Sequence, residues 1–307
     1  MKAKKSTVVE ITILSLLALL VVLSLLIPQF LRDRGQERLW SLSVLLRDTD
    51  SSSWNVARQG MEQAADELGA ELRFLTLTVQ NDPKEQEELL RREVEGGADA
   101  LIAVPADPDG LYGALRRASD ACPLVLLEAD PAEGAASVAP DNALLGQRLA
   151  EALLEDWEGA GTVLLLDTSA ACPEVRPRLE AASQALGAAG VPVDRIYSVP
   201  EDPGVRWVMA FESGATRLAG QKKEESGHDF ALYGVGSSPV TTAQLERGTI
   251  AAVAAWSDYA AGYLAVQQAV QALHGHSQLL DPLPFSIVRG EDIYAPENQK
   301  LLFPITS

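Results

Sequence analysis

Two cysteines and three histidines in 307 residues leave little material for disulfide or metal chemistry. A disulfide-stapled miniprotein needs many more thiols, and a structural zinc site needs four Cys or His ligands at short spacings. Cys122 precedes an expected strand and Cys172 follows one. In parallel sheets they fall at opposite ends, which argues against a bridge whose Cα atoms must lie within about 7 Å. His274 and His276 follow a helical stretch and read as a solvated turn. Basic residues are also few, 25 against 43 acidic ones, for a formal charge of −18. Such a surface repels a polyanion, so no nucleic-acid partner is expected.

Nucleotide and hydrolase motifs are missing too. Gly234-Val235-Gly236 begins like a dinucleotide-binding turn, but Pro239 stands at the third glycine, and neither a Walker loop nor a G-x-S-x-G elbow occurs. Carboxylates are plentiful, yet an acidic chain offers chance pairs everywhere, so none is assigned as a glycosidase dyad. No enzyme activity and no cofactor are expected.

What is present begins with the N-terminus. Met1 to Lys5 holds three lysines, and Ile11 to Ile27 follows without a charge. Counted from Val8, with Glu10 near one end, the run is 20 residues long, which at about 1.5 Å per residue matches a hydrocarbon core of about 30 Å. Lysines in front of the span predict a cytoplasmic N-terminus. A cleaved secretory signal is the competing reading, but neither an A-x-A site nor a lipidatable cysteine follows. The expectation is a single-pass signal anchor in the cell membrane, contacting lipid through residues 8–27, with a stalk to residue 40 and the bulk of the chain extracytoplasmic.

From Ser41 onward, short apolar runs alternate with amphipathic helical stretches, the signature of βαβ units. Val56 to Leu68 places Met61, Ala64, Ala65 and Leu68 on one face, and Gly69 ends it. Strands are expected at Ser41–Asp48, Leu72–Thr78, Ala100–Val104, Leu124–Leu127 and Ser137–Ala139. After a linking helix from Ala143 to Trp157 the layout restarts, with strands at Thr162–Leu166, Arg195–Val199, Val205–Phe211, Phe230–Gly234 and Ile250–Ala255. Short strands near Phe285–Arg289 and Leu301–Pro304 finish it. The fold class is therefore α/β, two doubly wound parallel-sheet lobes with a cleft at the carboxyl ends of their strands.

Polar and aromatic residues gather at those strand ends: Asp50 and Trp54 in the first loop, then Glu128, Asp141, Arg176, Glu212 and Trp256. Such groups suit a polyol, since carboxylates and guanidinium each engage two hydroxyls while an indole covers the C–H face of a sugar. The alternative is that the loop polar residues cap helices and make turns.

Several stretches resemble the type 1 periplasmic binding proteins, the sugar-binding family that includes ribose binders: SVLLRDTDSSSWNVARQGMEQAADELGAEL, EGGADALIAVPADPDGL, PLVLLEAD, VAPDNALLGQRLAEAL, DTSAACPEVRPRLEAASQAL and GTIAAVAAWSDYAAGYLAVQQAV. The resemblance implies ligand roles for Trp54 (stacking), Glu128, Arg176 and Glu212, and puts Trp256 at a hinge position. It implies three hinge crossings, near Pro140 and Asp141, near Trp256 and Ser257, and near Leu283. The N-terminal lobe is then 41–140 plus 257–283, and the C-terminal lobe 141–256 plus 284–307. Ala129 and Gly236 depart from the ribose pattern, and the segment PEDPG replaces a crossover helix. The implied function is capture of a small polar ligand, a sugar or polyol, for an ABC permease or a sensor kinase. The alternative is a tethered interaction or sensory module whose cleft has degenerated.

Overall fold

The computed structural model describes residues 39–49, 54–130, 132–199, 206–276 and 280–303. The anchor expected over residues 8–27 and the loop residue Asp50 lie outside them. Among the described residues no helix is long and apolar enough to cross a membrane.

The first lobe is built from β1 (Trp40–Leu45), α1 (Asn55–Leu68), β2 (Ala70–Leu75), α2 (Pro83–Glu95), β3 (Ala100–Ala103), α3 (Tyr112–Ala121), β4 (Leu124–Leu127) and β5 (Ala136–Val138). Its sheet runs β2-β1-β3-β4-β5 with every pair parallel. The second lobe contains α4 (Asn142–Asp156), β6 (Val163–Leu166), α5 (Val175–Ala188), β7 (Val193–Ile196), β8 (Trp207–Ala210), α6 (Ser213–Ser226), β9 (Ala231–Val235), α7 (Pro239–Glu246) and β10 (Ala252–Trp256). Then α8 (Asp258–Leu273) packs back on β3, β4 and β5 of the first sheet, and β11 (Phe285–Arg289) and α9 (Pro296–Leu302) complete the second. That second sheet runs β11-β10-β9-β8-β6-β7.

Every residue of β3, β4, β6, β8 and β10 is buried. Strands covered by helices on both faces read as unbroken apolar runs, and this is why the sequence marks them so clearly. Strand order reverses between β1 and β3 and again between β6 and β8, so each lobe opens a crevice at the carboxyl ends beside its first strand.

Two expectations fail. The second sheet is not wholly parallel, because β11 runs antiparallel to β10, pairing Phe285 with Trp256. The chain arrives there past Leu283, whose N–H donates to the Ala139 carbonyl at 2.9 Å in the crossing region. It thus enters at the carboxyl end of β10 and must run back along it. Leu301 and Leu302 lie in helix α9 rather than a strand. Pro296 starts that helix where a missing N–H costs nothing, and Glu297 adds a carboxylate to its first turn.

Glycines set how closely the helices pack. A Cβ on Gly60 of α1 would collide with the Tyr259 carbonyl of α8, and one on Gly262 of α8 would strike the Ala57 carbonyl in return. In the second lobe, Gly146 of α4 stands against the Arg178 backbone of α5 in the same way. Gly187, by contrast, has open space around it and an ordinary φ. Gly262→Ala should therefore lower unfolding stability by roughly 1 to 3 kcal/mol through overpacking. Gly187→Ala should raise it by up to about 1 kcal/mol through helix propensity. Urea titration of both variants checks this, and equal effects would refute the close-packing account.

Candidate functional site

The loops after β1, β3 and β4 face the loop before α5 and the start of α4 across a cavity of about 450 Å3, within the ~300 to 1,000 Å3 typical of small-ligand sites. Gln86, buried on α2, fixes the loop after β3. Its amide donates to the Val104 carbonyl at 2.8 Å and accepts from the Ala106 N–H at 2.7 Å. Pro105 and Asp107 of that loop line the cavity.

Arg47 extends from the end of β1 across the gap. Nη1 donates to Glu174 Oε2 at 2.8 Å and Nη2 to Oε1 at 2.7 Å, a bidentate pair between two buried residues of opposite lobes. Nη2 also lies 3.7 Å from Glu128 Oε2. Glu128 follows β4 in the left-handed region, φ 58°, a conformation that costs a non-glycine residue about 1 to 2 kcal/mol. One turn beyond Glu174, Arg178 is almost wholly buried. Its Nε donates to Asn142 Oδ1 at 2.8 Å and Nη1 to the Phe211 carbonyl at 2.9 Å, while the guanidinium lies 5.2 Å from the Trp256 ring centroid. Asn142 passes the link onward, donating to Asp130 Oδ1 at 3.1 Å.

Burial pushes each of these acidic groups upward, and the charge of Arg47 decides which of them ends below its usual value. It would raise the Glu174 carboxyl, but the charge and hydrogen bonds of Arg47 outweigh it and hold Glu174 below its usual value. Glu128 receives only the edge of Arg47, so burial pushes it up to about 7, and repulsion from Glu174 and Asp258 adds to the rise. Asp258, at the start of α8, is pushed up to about 6 by burial despite a hydrogen bond from Ser237. Burial also carries the Cys172 thiol up to about 12, so this free thiol beside Arg47 stays protonated near neutral pH.

Of the residues singled out from the sequence, Glu128 and Arg176 line the cavity. Arg176 is exposed at its rim, where Nη1 pairs with Asp109 Oδ2 at 3.1 Å. Trp54 is packed in the core with its Nε1 donating to Asp48 Oδ2 at 2.6 Å. Trp256 is buried beneath Arg178, and its Nε1 has no hydrogen-bond partner among the described residues. Asp141 accepts from the Leu144 N–H and caps α4. Glu212 caps α6 through the Gly214 and Ala215 N–H groups. Gly236, with φ 129°, faces Ser213, and a side chain there would run into its hydroxyl. Arg47, Glu174 and Arg178 were not legible as site residues, although Glu174 and Arg178 share an i, i+4 face that periodicity could have shown. Among the described residues no group of His, Cys, Asp or Glu is arranged to hold a metal ion.

A model of the periplasmic binding protein domain family matches residues 42–277. Comparison with curated proteins finds no match. Among solved structures, a carbohydrate transporter solute-binding protein from Agrobacterium radiobacter, in complex with D-arabinose, superposes with a TM-score of 0.78 at 17% identity, covering 87% of this chain and 100% of that one. GanP, a glucose-galactose binding protein from Geobacillus stearothermophilus, gives 0.75 at 20% identity, with coverage of 84% and 100%. The XylFII–LytSN complex gives 0.72 at 16%, with coverage of 83% and 99%. At these identities the likeness concerns the fold.

The raised Glu128 carboxyl carries a pH signature. Between its ordinary value of 4.5 and about 7 the folded protein holds a proton that the unfolded chain has released. The stability it contributes is present at low pH and lost as pH rises through that window. Glu128→Gln should remove this fall, so the urea midpoints of wild type and variant should diverge between pH 5 and pH 7.5. Parallel profiles would refute the assignment.

Proposed function

The chain belongs to the periplasmic binding protein family, and on that premise we propose that it is an extracytoplasmic solute-binding protein which captures a small polar ligand, a sugar or polyol, between its lobes. The observation that carries this reading is the convergence of Arg47 and Glu128 from the first lobe with Glu174 and Asn142 from the second around one cavity, with Asn142 held from behind by buried Arg178. Charged groups fixed on opposite sides of a gap reward a ligand rich in hydroxyls, which donates to carboxylates and accepts from guanidinium at once. Contacts to both lobes would make closure ligand-dependent, a hinge motion across the three crossings. Residues 8–27 would tether the protein to the cell membrane, N-terminus inside, and it would deliver ligand to an ABC permease or report it to a membrane sensor.

One observation favours a second reading, an interaction or sensory module that no longer needs a ligand. The Arg47–Glu174 pair already spans the gap with the protein's own side chains. That one of the similar folds was solved as the XylFII–LytSN complex supports keeping a protein partner in view.

Isothermal titration of the full chain in detergent against neutral and charged sugars and polyols separates the two. Capture predicts a saturable ligand whose affinity falls about tenfold or more in Glu128→Ala. Silence across the panel, with no thermal shift, refutes capture and leaves the module.

A further inference from the structure

The charge of the cavity wall says which polar ligand it takes, granted the reading that a ligand enters there at all. Two cations line the cavity, Arg47 and Arg176, and each is already engaged, Arg47 with Glu174 and Arg176 with Asp109. Glu133 at the rim is matched by Arg116 at 2.6 Å. Asp107, Asp130 and Glu180 have no ion-pair partner among the described residues, and Glu128 has only the 3.7 Å approach of Arg47. No lysine lines the cavity. The surplus is wholly negative and borders the buried Arg47–Glu174 pair, where charges are screened less than on an open surface.

We infer that the cleft selects a polyol bearing a protonated amine, such as an amino sugar, over the neutral sugar of the same shape. The ammonium would sit against Glu128, with Asp130 and Glu180 close to its path, while the hydroxyls engage Arg47 and Glu174. A neutral sugar leaves the surplus charge uncompensated, and an acidic sugar adds to it. The raised proton affinity of Glu128 agrees with this. That carboxyl faces Arg47 from the end of β1, Glu174 and Arg178 from the entry to α5, and Asp258 from α8; burial is the main cause of its raised proton affinity, and repulsion from Glu174 and Asp258 adds to it. An amine would take the proton's place, so its binding should strengthen as pH rises from about 5 to about 7, below the range of about 7.7 to 8.0 in which an amine next to an electron-withdrawing carbon loses its own proton.

The test is calorimetric titration of the full chain with D-glucosamine and D-galactosamine, each beside its parent hexose and its N-acetyl derivative, which keeps the nitrogen but removes the charge. The expected result is a preference of about tenfold or more for the amine over both neutral forms, weakening as salt rises from about 0.05 to about 0.5 M. Glu128→Gln combined with Glu180→Gln should shrink that preference to about threefold or less. A circular dichroism melt confirms that the variant is folded, and Glu180→Gln alone, at an exposed helix position, serves as the variant least able to disturb folding. If the parent hexoses bind as well as the amines, the inference is overturned while the capture function stands. If the amine preference survives in the double variant, the carboxylate wall is not its cause and the inference is overturned. If no sugar of either kind binds, capture of a sugar fails and the inference with it.

Discussion

The bidentate pair between Arg47 and Glu174 is the constraint on which the cleft depends. Both residues are buried, and taking two such charges out of water costs several kcal/mol each before their attraction is counted. The cost is met by geometry, because the planar guanidinium meets both carboxylate oxygens at hydrogen-bond length. Removing either partner would leave a buried charge unmatched, which typically costs about 3 to 5 kcal/mol. Anything that enters the gap must therefore offer Arg47 and Glu174 replacements for one another. This is a stricter filter than cavity volume.

Around that pair, each lobe supplies its groups from the carboxyl ends of its strands or the first turn of the following helix. Arg47 and Glu128 are set by β1 and β4, Asn142 by the start of α4, and Glu174 and Arg178 by the entry to α5. The left-handed backbone at Glu128 belongs to the same arrangement. Local strain at a position that faces a cavity is retained only where the surroundings enforce it.

Much of the architecture was legible in the sequence because the buried strands are unbroken apolar runs between helical stretches. The limits expected for β4, Leu124–Leu127, and for β11, Phe285–Arg289, are those observed. The direction of β11 was not legible, since it follows from where the chain passes Leu283 back into the second sheet, a long-range fact that leaves no local pattern. Leu301 and Leu302 misled because an apolar pair fits strand and helix alike. At the site, chemical type spoke louder than position. Trp54 and Trp256 look like stacking faces, but a large aromatic beside a core gains more from burial than from exposure to a cleft. Asp141 and Glu212 stand before helices, where unpaired N–H groups claim a carboxylate. Arg176 and Arg178 differ by two residues and so face opposite ways on α5, which puts one at the rim and the other in phase with buried Leu179, Ala182 and Leu186.

The glycine contact between α4 and α5 has a mechanical side. With the Arg178 backbone seated directly on Gly146, neither helix has slack to slide past the other. Force applied at Glu174 is then carried through α5 into α4 and on to Arg289, whose guanidinium grips Asp156 and the Ala152 carbonyl at the far end of that helix. The jaw that meets the first lobe is thus a stiff lever two helices thick, and whatever tugs on one carboxylate in the mouth is felt at the opposite edge of the second sheet.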